Sequence, residues 1–78
     1  MEYNQSICGK VIRNQRKKRK ISQEVFSGFA VMARSHVSEV ENGKRNLQLD
    51  TFWKIAQALD MKPSELLALV EEEIQKEK

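Results

Sequence analysis

Apolar residues recur along this chain at the three- and four-residue spacing of helices, and no stretch shows the strict alternation of a half-buried strand. Ile7, Cys8, Val11 and Ile12 form the first stripe, which predicts a helix over about 5–19 whose polar side carries lysine and arginine. Ser22 stands where its hydroxyl can accept from the open amides of a second helix, about 23–30, with Phe26, Phe29 and Ala30 on the buried side. Val37 and Val40 set the inner face of a third helix, about 34–41, leaving Arg34, Ser35, Ser38 and Glu39 turned outward. Asn42-Gly43 stops it, because Gly43 is free to turn left-handed. Phe52, Ile55, Ala56 and Leu59 predict a fourth helix over about 49–59, and Pro63 suits the first position of a fifth that runs to about 75. The expected architecture is all-α, five helices in a single domain over 1–78, without linker or internal repeat.

Seventy-eight residues bury too little surface to enclose a deep catalytic cavity. The net charge of +3 is modest but segregated: ten cations face four acids up to Asn46, whereas four lysines face seven acids from Leu47 onward. Five consecutive cations, Arg16 to Lys20, close the first helix. They complement its dipole and, at the same time, attract phosphate. A basic half of this kind points to a polyanion as partner. Cys8 is the sole cysteine, so no internal disulfide is possible and a reducing, cytoplasmic location is expected. The longest apolar runs are too short to span a bilayer, so no membrane association is expected.

The second and third helices carry the chemistry. A helix in the DNA major groove needs short or forked polar side chains near its N-terminal end, since these reach base edges. Arg34 can donate in a fork to guanine, Ser35 can donate or accept, and Glu39 can accept from cytosine N4. Gln23, opening the preceding helix, is placed to bond a phosphate through side chain and backbone amide. Asn42, Lys44, Arg45 and Asn46 follow the third helix and suit the sugar-phosphate backbone, and His36 is expected to touch DNA backbone or a base.

In these residues the chain resembles the helix-turn-helix domain of phage repressors and xenobiotic-response-element regulators, the lambda-repressor-like fold. The resemblance covers about 9–67, through Arg16, Ser22-Gln23-Glu24, Arg34-Ser35, Val37-Ser38, Val40-Glu41-Asn42-Gly43-Lys44-Arg45-Asn46 and Ile55-Ala56-Gln57-Ala58-Leu59. It implies that Arg34, Ser35, Ser38 and Glu39 face bases, and that Gln23 and the stretch from Asn42 to Asn46 meet phosphate. It also implies a structural ion pair between Arg16 and Glu41. Four positions depart from the family pattern: Val31 where glycine usually makes the turn, Ala33 where serine or threonine caps the recognition helix, Leu47 where proline is frequent, and Ser27 where alanine is.

The short length and fifth helix resemble the controller proteins of restriction-modification systems, which are homodimers that regulate their own operon. Small phage repressors and antitoxins are the neighbouring alternatives. Leu66, Val70 and Ile74 recur every four residues and, with Leu69, predict a dimer interface on the fifth helix. No nucleophile with its base, metal cluster or phosphate cradle is apparent, so an enzyme, a metal, a cofactor and a small-molecule ligand are not expected. The expected function is that of a dimeric, sequence-specific transcriptional regulator at a partly palindromic double-stranded DNA operator.

Overall fold

Helix boundaries in this protein follow from how each end satisfies its open amides and carbonyls. The computed structural model describes residues 1–77, which form α1 (Gln5–Lys18), α2 (Gln23–Ala30), α3 (Arg34–Glu41), α4 (Leu49–Ala58) and α5 (Pro63–Lys76), with no strand among them. Asn4 caps α1 by accepting from the Ile7 N–H at 3.0 Å, and Ser22 caps α2 by accepting from the Val25 N–H at 3.1 Å. At α5 the Glu65 carboxylate reaches back to the Lys62 N–H at 2.8 Å, half of a capping box, with Pro63 in the first turn. α3 and α4 start at Ala33 and Gln48 without a side-chain cap.

Four helices end by the same closure. Lys20, Val31, Gly43 and Asp60 turn left-handed, at φ of 57°, 53°, 71° and 56°. The next residue's N–H then donates to a carbonyl one turn back: Ile21 to Arg16 at 3.3 Å, Met32 to Ser27, Lys44 to Glu39 and Met61 to Ala56, each at 2.9 Å. Ile21, Met32 and Met61 are thereby folded against the core. Glycine is required only at position 43, where a Cβ would stand 2.8 Å from the Ser6 Cα. Gln5 Nε2 also donates to the Gly43 carbonyl at 2.6 Å, which ties the start of α1 to the end of α3.

Val31 is the strained member of this set: a β-branched residue in the left-handed region costs roughly 1–3 kcal/mol. Its side chain is 81% exposed, so no burial offsets that strain. Val31→Gly is expected to stabilise the fold by about 1 kcal/mol after the extra unfolded-state entropy of glycine, raising the melting temperature by roughly 4–8 °C. An unchanged melting curve by circular dichroism would refute the strain.

α1 packs on α3 and α5, α2 on α3 and α4, and α4 on α5. Ile12, Phe26, Val37, Ile55, Leu59 and Leu66 form the centre of the shared core. Two expectations from the hydrophobic pattern are corrected. Phe29 is exposed, because α2 turns Phe26, Ser27 and Ala30 toward its neighbours and leaves Phe29 on the outer rim with Val25. Buried Ser27 satisfies its hydroxyl by donating to the Glu24 carbonyl at 2.7 Å. On α5, Leu66, Val70 and Ile74 are buried in the chain's own core and Leu69 is half-buried, so this stripe does not form a free dimer interface. The stripe is consumed by the packing of α5 on α1 and α4, and Leu67 is the leucine left outside. No helix among the described residues is long and apolar enough to cross a membrane.

Candidate nucleic-acid interface

A buried ionic knot holds α3 in place. Arg16 Nε donates to Glu41 Oε2 at 2.7 Å and Nη2 donates to Oε1 at 2.9 Å, a bidentate pair with side chains 8% and 1% exposed. Arg16 Nη1 donates to the Ile21 carbonyl at 2.7 Å, and Gln23 Nε2 donates to Glu41 Oε1 at 3.1 Å. One carboxylate on α3 is thus bound by side chains from α1 and α2. The hydrogen bonds to Glu41 hold the Arg16 guanidinium above its ordinary pKa against the opposing pull of burial, so it stays charged at any pH the fold survives. Gln23 is only half-buried, but its amide nitrogen is engaged by Glu41; what it offers outward is its main-chain N–H at the open start of α2.

On the far side of α3 from Val37 and Val40, Arg34, Ser35 and Glu39 are exposed, while Ser38 and His36 are half-buried. Ser38 Oγ accepts from Asn42 Nδ2 at 3.4 Å. Asn42, Lys44, Arg45 and Asn46 are exposed beside this face, carried there by the left-handed turn at Gly43. Arg45 Nε lies 3.3 Å from Glu39 Oε1, both side chains about half exposed, a contact that spacing along the sequence did not reveal. The uncapped first turn of α3 adds open N–H groups and the positive end of its dipole. Lys17, Lys18, Arg19 and Lys20 are exposed at the end of α1. The arrangement presents forked and short polar groups on one fixed helix, with cations and open amides nearby.

A family model described as helix-turn-helix matches residues 12–66. The chain belongs to this family. It is 36% identical over 64 residues to the control protein C.MunI of a Mycoplasma species, covering 82% of this chain and 86% of that one. The crystal structure of the restriction-modification controller protein C.AhdI from Aeromonas hydrophila superposes with a TM-score of 0.79 at 35% identity, over 83% of this chain and 98% of that one. The controller protein C.Esp1396I, seen as a tetramer on its natural 35 base-pair operator, shares the fold at a TM-score of 0.87 and 21% identity, over 96% of this chain and 99% of that one. The homologues of this helix-turn-helix chain are therefore restriction-modification controller proteins.

Other candidate chemistry is sparse. Among the described residues, no group of three or more His, Cys, Asp and Glu side chains is gathered as a metal would need. Burial pushes the Cys8 thiol above its ordinary pKa, which suits a packing residue and not a nucleophile. Elsewhere an apolar groove of about 610 Å³ opens between the N-terminal segment, α4 and α5, lined by Tyr3, Leu49, Phe52, Trp53 and Leu67 among others.

Proposed function

We propose that this helix-turn-helix chain is a restriction-modification controller that binds double-stranded operator DNA as a homodimer and regulates its own operon. The observation that carries the reading is the outward face of α3: Arg34, Ser35 and Ser38 stand on a helix immobilised by the Arg16–Glu41 pair, with cations on both flanks. Arg34 offers its fork to a guanine, Ser35 and Ser38 adapt as donors or acceptors, and Lys44, Asn42 and Asn46 meet phosphate. His36, half-buried, and the Gln23 main-chain N–H add backbone contacts at the groove edge. Phosphate neutralisation supplies much of the affinity and makes it fall steeply with salt.

The test is fluorescence anisotropy with a duplex taken from upstream of the protein's own gene, against a scrambled duplex, over a salt series. Tight and selective binding at physiological salt is expected, and equal weak binding to both would defeat the reading. Arg34→Ala should cost about 1–3 kcal/mol on the preferred duplex and relax preference at one base pair. Equal losses on both duplexes would remove Arg34 as a reader.

The homodimer is best supported on the groove between α4 and α5, not on the buried stripe of α5. Leu49, Trp53, Leu67 and Tyr3 are 71%, 50%, 48% and 57% exposed, a contiguous apolar surface that a second copy would cover. Pairing places two α3 helices on successive major grooves, about 34 Å apart. Trp53 is the only tryptophan, so its fluorescence should shift to the blue as concentration rises and the groove closes. Trp53→Glu should sediment as a folded monomer; a dimer of unchanged stability would place the interface elsewhere.

A further inference from the structure

We infer that Arg45 is a base-reading residue and that Glu39 is the positioning residue that aims it, rather than a reader in its own right. This rests on the reading of α3 as the groove helix and adds a role for two residues whose contact the sequence order conceals.

The geometry begins at the end of α3. The left-handed turn at Gly43 and the Lys44 N–H donated to the Glu39 carbonyl at 2.9 Å fold the chain back along the helix. Arg45 is carried past the helix end and returns beside Glu39, Nε to Oε1 3.3 Å, instead of splaying out to the flank where a phosphate clamp would stand. Contact through Nε leaves the Nη1–Nη2 edge turned away from Glu39, and that edge is the fork that matches the O6 and N7 acceptors of guanine. The carboxylate therefore fixes the rotation of the guanidinium while the reading edge stays available.

The same pairing explains why an acid is tolerated on this face. A bare carboxylate entering the groove would approach a polyanion, whereas one paired with Arg45 presents no net negative charge. A Glu39 held in this way has one oxygen directed to Arg45 and is a poor acceptor for cytosine N4. The pair is half exposed, so its contribution to folding is small. Its value lies in orientation, because an unpaired arginine side chain samples many rotamers that must be frozen on binding.

The experiment uses the full chain and a pool of duplexes with a randomised core, from which wild-type protein selects its preferred sequence. Wild type, Arg45→Ala, Arg45→Lys, Glu39→Gln and the Glu39→Gln/Arg45→Ala double variant are then titrated on the selected duplex and on each of its single-base changes, with salt series. Circular dichroism melts confirm that these surface variants fold. Arg45→Ala and Arg45→Lys are expected to lose a discrimination of roughly 5- to 150-fold at one base pair, since lysine keeps the charge but not the fork. Glu39→Gln should weaken preference at that same base pair, and the double variant should match Arg45→Ala.

Two results would overturn the inference. Arg45→Ala may leave every base preference intact while lowering affinity for all duplexes and flattening the salt slope by about one, the signature of a phosphate contact. Alternatively, Glu39→Gln relaxes a base pair different from the one Arg45 reads, which makes Glu39 an independent reader. A wild-type protein that enriches no sequence overturns the groove reading of α3 itself, and this outcome differs from both because no preference exists to be lost.

Discussion

Glu41→Ala is expected to leave most of the protein unfolded at 37 °C. The substitution removes the carboxylate to which Arg16 donates at 2.7 and 2.9 Å and to which Gln23 donates at 3.1 Å. Arg16 is then a buried cation with only the Ile21 carbonyl as acceptor. Breaking one side of a buried pair typically costs about 3–5 kcal/mol, a large share of the roughly 5–15 kcal/mol that stabilises a whole domain. For a chain of this size the melting temperature should fall by roughly 12–40 °C. Replacing both partners, as in Arg16→Met/Glu41→Met, removes the unpaired charge and should recover much of the loss, because apolar groups of similar volume often substitute a buried pair at little cost. Thermal melts of the single and double variants decide the matter: a double variant no more stable than Glu41→Ala would mean that the ionic interaction itself, and not the stranded charge, holds α3.

Gly9→Ala should destabilise nearly as much, by about 3 kcal/mol, at the upper end of what overpacking usually costs. Position 9 is where α1 runs closest to α3: an added methyl would overlap the Val40 carbonyl oxygen and stand 3.0 Å from that of Glu41. Both obstacles are main chain, so no side-chain rotation relieves them. The helices must separate, which also tilts the outward face of α3 and should weaken DNA binding in the fraction that remains folded. Gly28→Ala is the matched control. A methyl there meets nothing within 4 Å, and alanine gains about 0.5–1 kcal/mol inside a helix. If Gly9→Ala and Gly28→Ala shift the melting temperature in the same direction, the close approach of α1 and α3 is not what position 9 is for.

The helices were legible because capping and stop signals are local. Ser22 before α2, Asn42-Gly43 after α3 and Pro63 at the start of α5 each act within a turn, and all five helices lie where the hydrophobic spacing predicts, within about one residue at the ends. Facing was less legible. The α5 stripe Leu66, Val70, Ile74 reads equally as core or interface, since periodicity reports an apolar face without saying what covers it. Phe29 failed for a related reason: it lies close enough to the Phe26 and Ala30 face to look buried, but α3 and α4 stop short of it. At the candidate site the residue types were visible in order, Arg34 and Ser35 above all. The contacts between them were not, because Glu39 meets Arg45 and Gln23 meets Glu41 only after the chain has folded back on itself. The left-handed Lys20 and Asp60 carry no sequence signal, as neither is the glycine or asparagine that usually marks such a turn.

The brevity of α3 has a consequence for how this protein moves. Eight residues are too few for a helix to persist in water alone, and α3 begins without a side-chain cap, so its existence depends on Val37, Val40 and Glu41 being seated in the rest of the fold. Its innermost amides should exchange with deuterium at the rate of global unfolding, with no faster local opening. A synthetic peptide of α3 would be a coil with no defined reading face. The surface that meets a nucleic acid is in this sense cooperative with the whole chain: it appears when the domain folds and vanishes when it melts, with no partly competent state between.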